Sequence, residues 1–355
     1  MKKQILAVAV AGAFAIPAFA AADSSVTLFG QLQTQIVHHS ASGDDGQFDS
    51  GFRQHDAGQA GSPTDGQGPN RIGVMVNHDL GNGMTALAKF ENDFTTGSDG
   101  SAASGFNGPQ RDIYVGLRGD FGQIIAGRMT SSYNTAGKDP LNGTFMQARV
   151  QGGRQGGLGG FGNGGYVDRG VRYSNSFGIV SMDVGMFLDN SQDGRAAWSG
   201  RLNFDLDPVE VYVAHVDARR YENSDADTWR TTKIGADWSA GPFRLNAEIE
   251  DFKRDAGIAG PEAEGNTYWA AGTYSMGRND FVLSLGHTRL DDANNSDFAA
   301  LAIKHSFSNR VMAYAGVAYN STDDAGGNFD DTTSTYDGSS DLRFTGVGAG
   351  MRVSF

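Results

Sequence analysis

The chain ends on the sequence VGAGMRVSF, residues 347–355, in which every second residue is apolar. One face of this segment holds the apolar set Val347, Ala349, Met351, Val353 and Phe355. A period of two with a single apolar side is typical of a β-strand. A strand of this kind that ends in an aromatic residue, in a chain with a secretory leader, indicates a sheet with one face in lipid and the other in water.

The same alternation recurs along the chain and gives sixteen strand candidates. The third spans residues 84–94, and its apolar side holds Ala88 and Phe90, whereas Lys89 lies on the polar side. Strands of about ten residues have the length that a strand tilted by about 45° needs to cross a bilayer. A one-residue slip would turn Lys89 toward lipid at a cost of about 2–4 kcal/mol, so the polar side must face a water-filled lumen.

Short connections between these candidates alternate with long polar ones such as 40–69, 254–265 and 321–341. An even number of strands with short periplasmic turns and long extracellular loops is typical of an outer-membrane barrel. Closure leaves no edge, which in lipid would carry unsatisfied amide groups. The sequence therefore predicts an all-β fold, a 16-stranded antiparallel transmembrane β-barrel over residues 23–355.

Residues 1–22 read as a signal peptide, with Lys2 and Lys3 before an apolar segment at 5–16. Cleavage after Ala20 and cleavage after Ala22 both fit. The apolar segment is too short to span about 30 Å of hydrocarbon, so it predicts export rather than an anchor. Together with the barrel, this leader predicts the outer membrane of a Gram-negative cell.

Charge and cysteine content restrict the partners. The formal charge of −13 argues against nucleic-acid binding, and the absence of cysteine excludes disulfides and thiolate metal sites. One predicted loop holds five acids, Asp323, Asp324, Asp330, Asp331 and Asp337. These acids are either solvated surface or sites where divalent cations bridge the protein to anionic outer-membrane lipid and lipopolysaccharide. No other cofactor is expected.

One connection, at about residues 132–168, is longer than a structureless loop in a compact fold usually is. It is rich in glycine between positions 152 and 165. It either folds into the barrel and narrows the pore or forms an external loop. The fourth strand favours the first alternative. If Arg111 faces inward, alternation also turns inward the apolar residues Ile113, Val115 and Leu117, and a loop inside the barrel would cover them.

Motifs for other functions fail their context tests. GLGGFG at 157–162 matches the letters of a dinucleotide fingerprint, but it follows no apolar strand and opens no helix. The seven histidines lie in no nucleophile motif, and the chain contains no G-x-S-x-G. An enzyme is therefore not expected.

Several segments resemble those of Gram-negative general diffusion porins of the type found in Neisseria and related proteobacteria: 26–30, 70–84, 111–128, 171–176 and 350–355. The resemblance covers the whole mature chain. It implies a homotrimer of 16-stranded barrels, each with its third loop folded into the pore. Glycines expected on the outer face, Gly116 and Gly127, would permit close packing between subunits.

The resemblance further implies a constriction where arginines of the wall face acids of the third loop. Arg71 and Arg111 lie inside matched motifs, and the third wall arginine is either Arg172 or Arg169. The remaining candidates at the constriction are Arg128, Lys89, Asp139, Arg149 and Arg154. The loop has few acids, which disfavours cation preference. A ring of permanently charged arginines lowers the barrier for anions and raises it for cations.

The sequence thus predicts an outer-membrane porin, a water-filled channel for passive diffusion of ions and small hydrophilic solutes with a constriction lined by arginines. The alternative is a substrate-selective channel for phosphate or an organic anion. A surface adhesin or receptor is supported only by the acidic loops.

Overall fold

The computed structural model describes residues 24–42, 50–56, 70–94, 110–150, 154, 159–190, 195–219, 221, 228–255, 263–291, 295–323, 329–330, 335–336 and 342–355. The expected signal peptide and most of the acidic loop after Asp323 lie outside the described residues. In the described part of the chain, no helix has the length and apolarity needed to cross a membrane.

The described ranges contain these strands: β1 Ser24–Ser42, β2 Gly51–His55, β3 Arg71–Gly81, β4 Met84–Asp93, β5 Gln110–Gly119, β6 Gly122–Met129, β7 Val167–Phe177, β8 Val180–Leu188, β9 Ala196–Asp205, β10 Val209–Asp217, β11 Trp229–Ala240, β12 Phe243–Arg254, β13 Ala263–Met276, β14 Asn279–Leu290, β15 Ser296–Ser306, β16 Val311–Thr322, β17 Phe329–Asp330, β18 Thr335–Tyr336 and β19 Leu342–Ser354.

In the described chain, β1, β3–β16 and β19 are the sixteen strands that close into an antiparallel barrel. From β3 to β16 each strand pairs with the next, and β19 joins β16 to β1, which in turn pairs with β3. On one side of β1, the first half of the strand pairs with β3 and the second half pairs with the short strand β2. Strands β17 and β18 form a separate hairpin. The predicted 16-stranded antiparallel barrel is confirmed.

The barrel closes between Gly30 and Phe355. The two residues exchange backbone hydrogen bonds of 3.0 and 3.1 Å. The ring of Phe355 lies where a Cβ on Gly30 would stand, so a side chain at this position would displace the ring. A small residue in β1 therefore permits the terminal aromatic to cover the seam.

Side-chain exposure alternates along the strands as the sequence predicts. On β12, Leu245 and Ile249 are 54% and 56% exposed, whereas Asn246 and Glu248 are buried. Such exposed apolar side chains form the outer surface of the barrel, and the buried polar ones face its interior. This is the arrangement that a barrel in lipid requires, because only alternate residues meet hydrocarbon.

The outer apolar belt has clear limits. At the short-turn end a row of rings, Phe243, Tyr274 and Phe281, has centroid separations of 5.1 and 6.4 Å. At the long-loop end the outward side chains become polar, as at Thr232 on β11 and Asp251 on β12. An apolar belt edged by aromatic rings matches the hydrocarbon layer of a membrane and its interface.

The third loop spans residues 130–166, and its described residues, 130–150, 154 and 159–166, lie inside the barrel. Its Phe145 and Met146 are fully buried against inward side chains of β1 and β13–β16. Its Phe161 meets the rings of Phe187, Tyr221 and Trp229 edge-on at 5.1–5.7 Å. Apolar burial thus holds this loop against most of the inner wall, while β3–β5 contribute no fully buried member to either cluster in the described chain.

The expected orientation of the fourth strand, β5, is wrong. Val115 is 63% exposed, and Tyr114 packs toward the third loop. The reason is a bulge, in which two residues of β5, Arg111 and Asp112, lie opposite Glu91 of β4. Both face inward, alternation is reversed beyond them, and the apolar side of β5 faces outward as in the other strands.

The same bulge changes the position of two glycines. A Cβ on Gly116 would lie 2.7 Å from Cγ2 of Ile125, whose side chain is buried inside the barrel. Gly127 pairs with the inward Tyr114. Gly116 and Gly127 therefore face inward, and they give no support for packing between subunits.

Candidate functional site

Three cationic side chains from neighbouring strands converge on Glu91. Arg71 Nε on β3 lies 3.2 Å and Arg111 Nε on β5 lies 2.8 Å from Glu91 Oε1, and Lys89 Nζ lies 2.7 Å from Oε2. The side chain of Glu91 is only 4% exposed, whereas that of Arg71 is 32% exposed. Water in the barrel therefore meets the guanidinium rather than the carboxylate.

Two further carboxylates complete this group. Arg111 Nη1 lies 3.1 Å from Asp93, and Lys89 Nζ lies 2.7 Å from Asp112. The bulge in β5 makes this possible, because it turns Arg111 and Asp112 to the same side. We call the six residues Arg71, Lys89, Glu91, Asp93, Arg111 and Asp112 the wall cluster.

The third loop meets the wall cluster through Tyr166. The guanidinium of Arg111 lies 4.9 Å and that of Arg128 lies 5.9 Å from the centre of its ring. Arg128 also pairs with Asp168 at 2.9 Å. Burial raises the pKa of the Tyr166 hydroxyl to about 12, so the residue stays neutral and offers its ring face to both cations.

Of the two arginines proposed as the third wall residue, the structure places Arg172 inside the barrel. Its Nε lies 3.4 Å from Asp183, and its Nη1 donates to the carbonyl of Thr130 at 2.8 Å. Arg169 lies in a second pairing irregularity with φ of 57°, and its Nε donates to the carbonyl of Leu188 at the end of β8. Arg169 thus does not join Arg172.

Two loop residues predicted at the constriction have other contacts. Arg154 is 6% exposed and binds Glu248 on β12 through Nε at 2.6 Å and Nη2 at 2.7 Å. Asp139 accepts the backbone N–H groups of Leu141 and Ala148 at 2.8 and 2.7 Å. Arg154 therefore attaches the loop to the wall, and Asp139 maintains the local turn of the loop.

A polar network lies beneath the loop. Tyr212 donates its hydroxyl to Glu248 at 2.7 Å, and the loop residue Tyr133 donates to Glu250 at 2.8 Å. Lys233 is fully buried, and its Nζ donates to Asn163 of the loop at 2.7 Å. Charged and hydroxyl groups of β10–β12 thus hold the face of the loop that is turned toward the wall.

Three inward arginines bond to neutral oxygens. Arg201 on β9 donates to the carbonyl of Thr135 at 3.0 Å, and Arg352 on β19 donates to Gln33 at 2.7 Å. Arg149 of the loop donates to Gln147 and to the carbonyl of Asn163 at 3.0 and 3.1 Å. Sequence reasoning missed Arg201 and Arg352 as site residues, although alternation placed Arg352 on the polar face.

A closed 16-stranded barrel with an inward loop and an arginine-bearing wall defines a β-barrel channel. The family model described as Gram-negative porin matches residues 7–325, and the chain belongs to this family. The chain is 27% identical over 356 residues to outer membrane porin protein 32 of Delftia acidovorans, covering 92% of this chain and 91% of that protein. It is 32% identical over 142 residues to major outer membrane protein P.IB of Neisseria meningitidis, covering 39% and 36%.

Solved structures share the fold. An anion-selective porin from Comamonas acidovorans aligns with a TM-score of 0.72 and 20% identity, covering 94% of this chain and all of that one. OmpT of Vibrio cholerae in its trimer form aligns with a TM-score of 0.62 and 14% identity, covering 94% and 99%. The chain is therefore an outer-membrane channel for passive diffusion of ions and small hydrophilic solutes, and the members of its family are channels rather than enzymes.

Proposed function

We propose that the passage through this barrel is narrowest between the third loop and strands β3–β7, and that it favours anions. The apolar clusters and the polar network attach the loop to the remaining strands, so the open space lies on the side of the wall cluster. Arg71, Arg111, Arg128, Arg172 and Lys89 border this space, and Arg149 extends from the loop. We leave Asp139, Arg154 and Arg169 out of this proposed lining, because their side chains bind loop N–H groups, Glu248 and the carbonyl of Leu188.

The observation that carries the proposal is the set of neutral partners around Arg149, Arg201 and Arg352. In the wall cluster three cations meet three carboxylates, and the charges balance. Among the described residues, no carboxylate lies at hydrogen-bond distance from the other three arginines. The potential beside these three arginines is therefore positive, which attracts anions and repels cations.

Two features of related proteins support this proposal. The Comamonas porin, which shares the fold, is described as anion-selective, and OmpT of Vibrio cholerae has a trimer form. We infer a homotrimer for this chain, a channel function without enzymatic activity, and contact of its outer belt with outer-membrane lipid and lipopolysaccharide. Bridging by divalent cations at the acidic loops stays a prediction, since most of those acids lie outside the described residues.

Recordings in planar bilayers should show ohmic conductance that rises and falls in groups of three, as expected for a trimer of open channels. In a salt gradient the reversal potential should have the sign of anion preference, because three inward arginines have only neutral hydrogen-bond partners in the described chain. A reversal potential with strong cation preference would contradict the proposal. Saturation of the conductance by phosphate or one organic anion would instead indicate the substrate-selective alternative.

Glu91→Gln should increase anion preference. The change removes the carboxylate that three cations share and preserves the shape of the side chain. One unit charge at about 5 Å in water is worth about 1 kcal/mol, so we expect about a fivefold rise in the anion-to-cation permeability ratio. The control is Glu210→Gln, an inward carboxylate near the short turns that accepts from Asn203 at 2.9 Å. If the permeability ratio rose equally in both variants, the wall cluster would have no specific role in selectivity.

A further inference from the structure

Two buried histidines meet inside the barrel, apart from the wall cluster. The Nε2 atoms of His39 on β1 and His55 on β2 lie 3.1 Å apart. Their rings are stacked with an interplanar angle of 29° and a centroid separation of 5.3 Å. The residues are 5% and 3% exposed. At this separation one of the two nitrogens must carry a hydrogen and the other must accept it.

Gln35 determines which nitrogen accepts. Its Oε1 accepts the backbone N–H of Phe145 at 3.1 Å and the hydroxyl of Tyr314 at 2.8 Å. Its Nε2 therefore faces Nδ1 of His55, at 3.2 Å, as a donor. Because His55 accepts at Nδ1, its own proton lies on Nε2 and is donated to Nε2 of His39. A chain of hydrogen bonds thus connects the third loop to the histidine pair.

The chain has no place for one more proton. Protonation of His55 puts an N–H at Nδ1 against the amide N–H of Gln35. Protonation of His39 at Nε2 places its N–H against the Nε2–H of His55. If the proton of His55 moves to Nδ1 instead, that N–H lies against the amide N–H of Gln35. Either the contact between the two histidines breaks, or the amide of Gln35 turns over.

A turned Gln35 presents its amide N–H to the third loop. The backbone N–H of Phe145 then loses the oxygen that accepts it, and Phe145 is fully buried. A buried donor without an acceptor destabilises the conformation that contains it. The cost falls on the segment 141–148, which packs the loop against β1 and β13–β16.

Several charged or titratable residues of the described chain surround the pair. Arg53 on β2 opposes a positive charge on either histidine, and His38 of β1 lies beside them. Asp56 follows β2 and lies near Tyr314 on β16, whose hydroxyl donates to Gln35, while Arg352 on β19 donates to Gln33. In the third loop, Phe145 contributes a backbone amide and no charge.

We propose that the pair formed by His39 and His55 senses acid and, when it binds a proton, loosens the third loop through Gln35. Neutral imidazoles hold the loop in place near pH 7, and acid releases it. Channel closures then become more frequent, a consequence that rests on the proposed narrowing of the pore by this loop.

The test is amide hydrogen exchange of segment 141–148 in the intact protein at about pH 7 and about pH 4, corrected for the intrinsic effect of pH. Loss of one hydrogen bond should raise the corrected exchange at Phe145 about fivefold in acid. His39→Gln with His55→Gln should abolish the rise, because no group in the pair then titrates. The matched control is His305→Gln, whose imidazole bonds Asn279 on the outer surface and which should keep the rise.

Gln35→Leu provides a second variant. It removes the link, so exchange at Phe145 should be fast at neutral pH and should not respond to acid. No acid response in the wild-type chain, or a response retained in the double histidine variant, would overturn the proposal. Exchange does not depend on conduction, so a loosened loop with unchanged recordings would count against the proposed constriction and not against the sensor.

Discussion

Replacement of Arg71 and Arg111 together by glutamine should shift the selectivity of the channel toward cations. The change leaves Lys89 as the remaining cation in the wall cluster against Glu91, Asp93 and Asp112. At about 1 kcal/mol for each charge near the passage, the anion-to-cation permeability ratio should fall about thirtyfold. The reversal potential in a salt gradient measures this ratio directly.

The matched control is Arg230→Gln with Arg289→Gln, which removes two arginines from the exposed outer surface of β11 and β14. This control keeps the net change in charge and should leave the reversal potential unchanged. If the double wall variant also leaves it unchanged, Arg71 and Arg111 do not line the narrowest part of the passage. Opposite shifts in this variant and in Glu91→Gln would tie selectivity to the charge of the wall cluster.

Glu248→Ala should release the third loop from the wall. The change leaves Arg154 and Lys233 buried without their shared carboxylate. Breaking a buried pair by removal of one partner costs about 3–5 kcal/mol. We expect the loop to become sensitive to limited proteolysis and the single-channel conductance to become heterogeneous, while the barrel still closes through its strands.

The neighbouring acid on the same strand provides the control. Asp251 faces outward and accepts from Asn266 at 3.1 Å, so Asp251→Ala should leave loop protection unchanged. Surface substitutions of this kind usually change stability by less than about 0.5 kcal/mol. Equal protection of the loop in Glu248→Ala and the wild-type chain would show that the apolar clusters alone hold it.

The barrel could be predicted because alternation reports directly on two solvents. The apolar faces of β19 and β4 were assigned correctly from their residues, as was the inward position of Lys89. The error at β5 has a physical origin, since a bulge is set by pairing with β4 and leaves no mark in the period of the strand itself. One inserted residue reverses every assignment beyond it, including Val115 and Gly116.

The contacts within the candidate site were harder to predict from the sequence than the barrel was. Arg154 and Glu248 are distant in sequence, and either residue alone reads as a solvated charge. The choice between Arg169 and Arg172 depended on the left-handed backbone at Arg169, which the sequence does not reveal. Alternation tells which residues face the interior, but it does not tell which of them a folded loop will cover.

The junction of Gly30 with Phe355 bears on how the molecule is made. These two residues come from opposite ends of the described chain, yet their hydrogen bonds complete the cylinder. Until they meet, β1 and β19 each have an edge of unpaired backbone N–H and C=O groups, which are costly to expose to hydrocarbon. Insertion into the bilayer must therefore coincide with pairing of β1 and β19. Mutations in the last strand should accordingly block assembly of the barrel, rather than only destabilise a protein that has already folded.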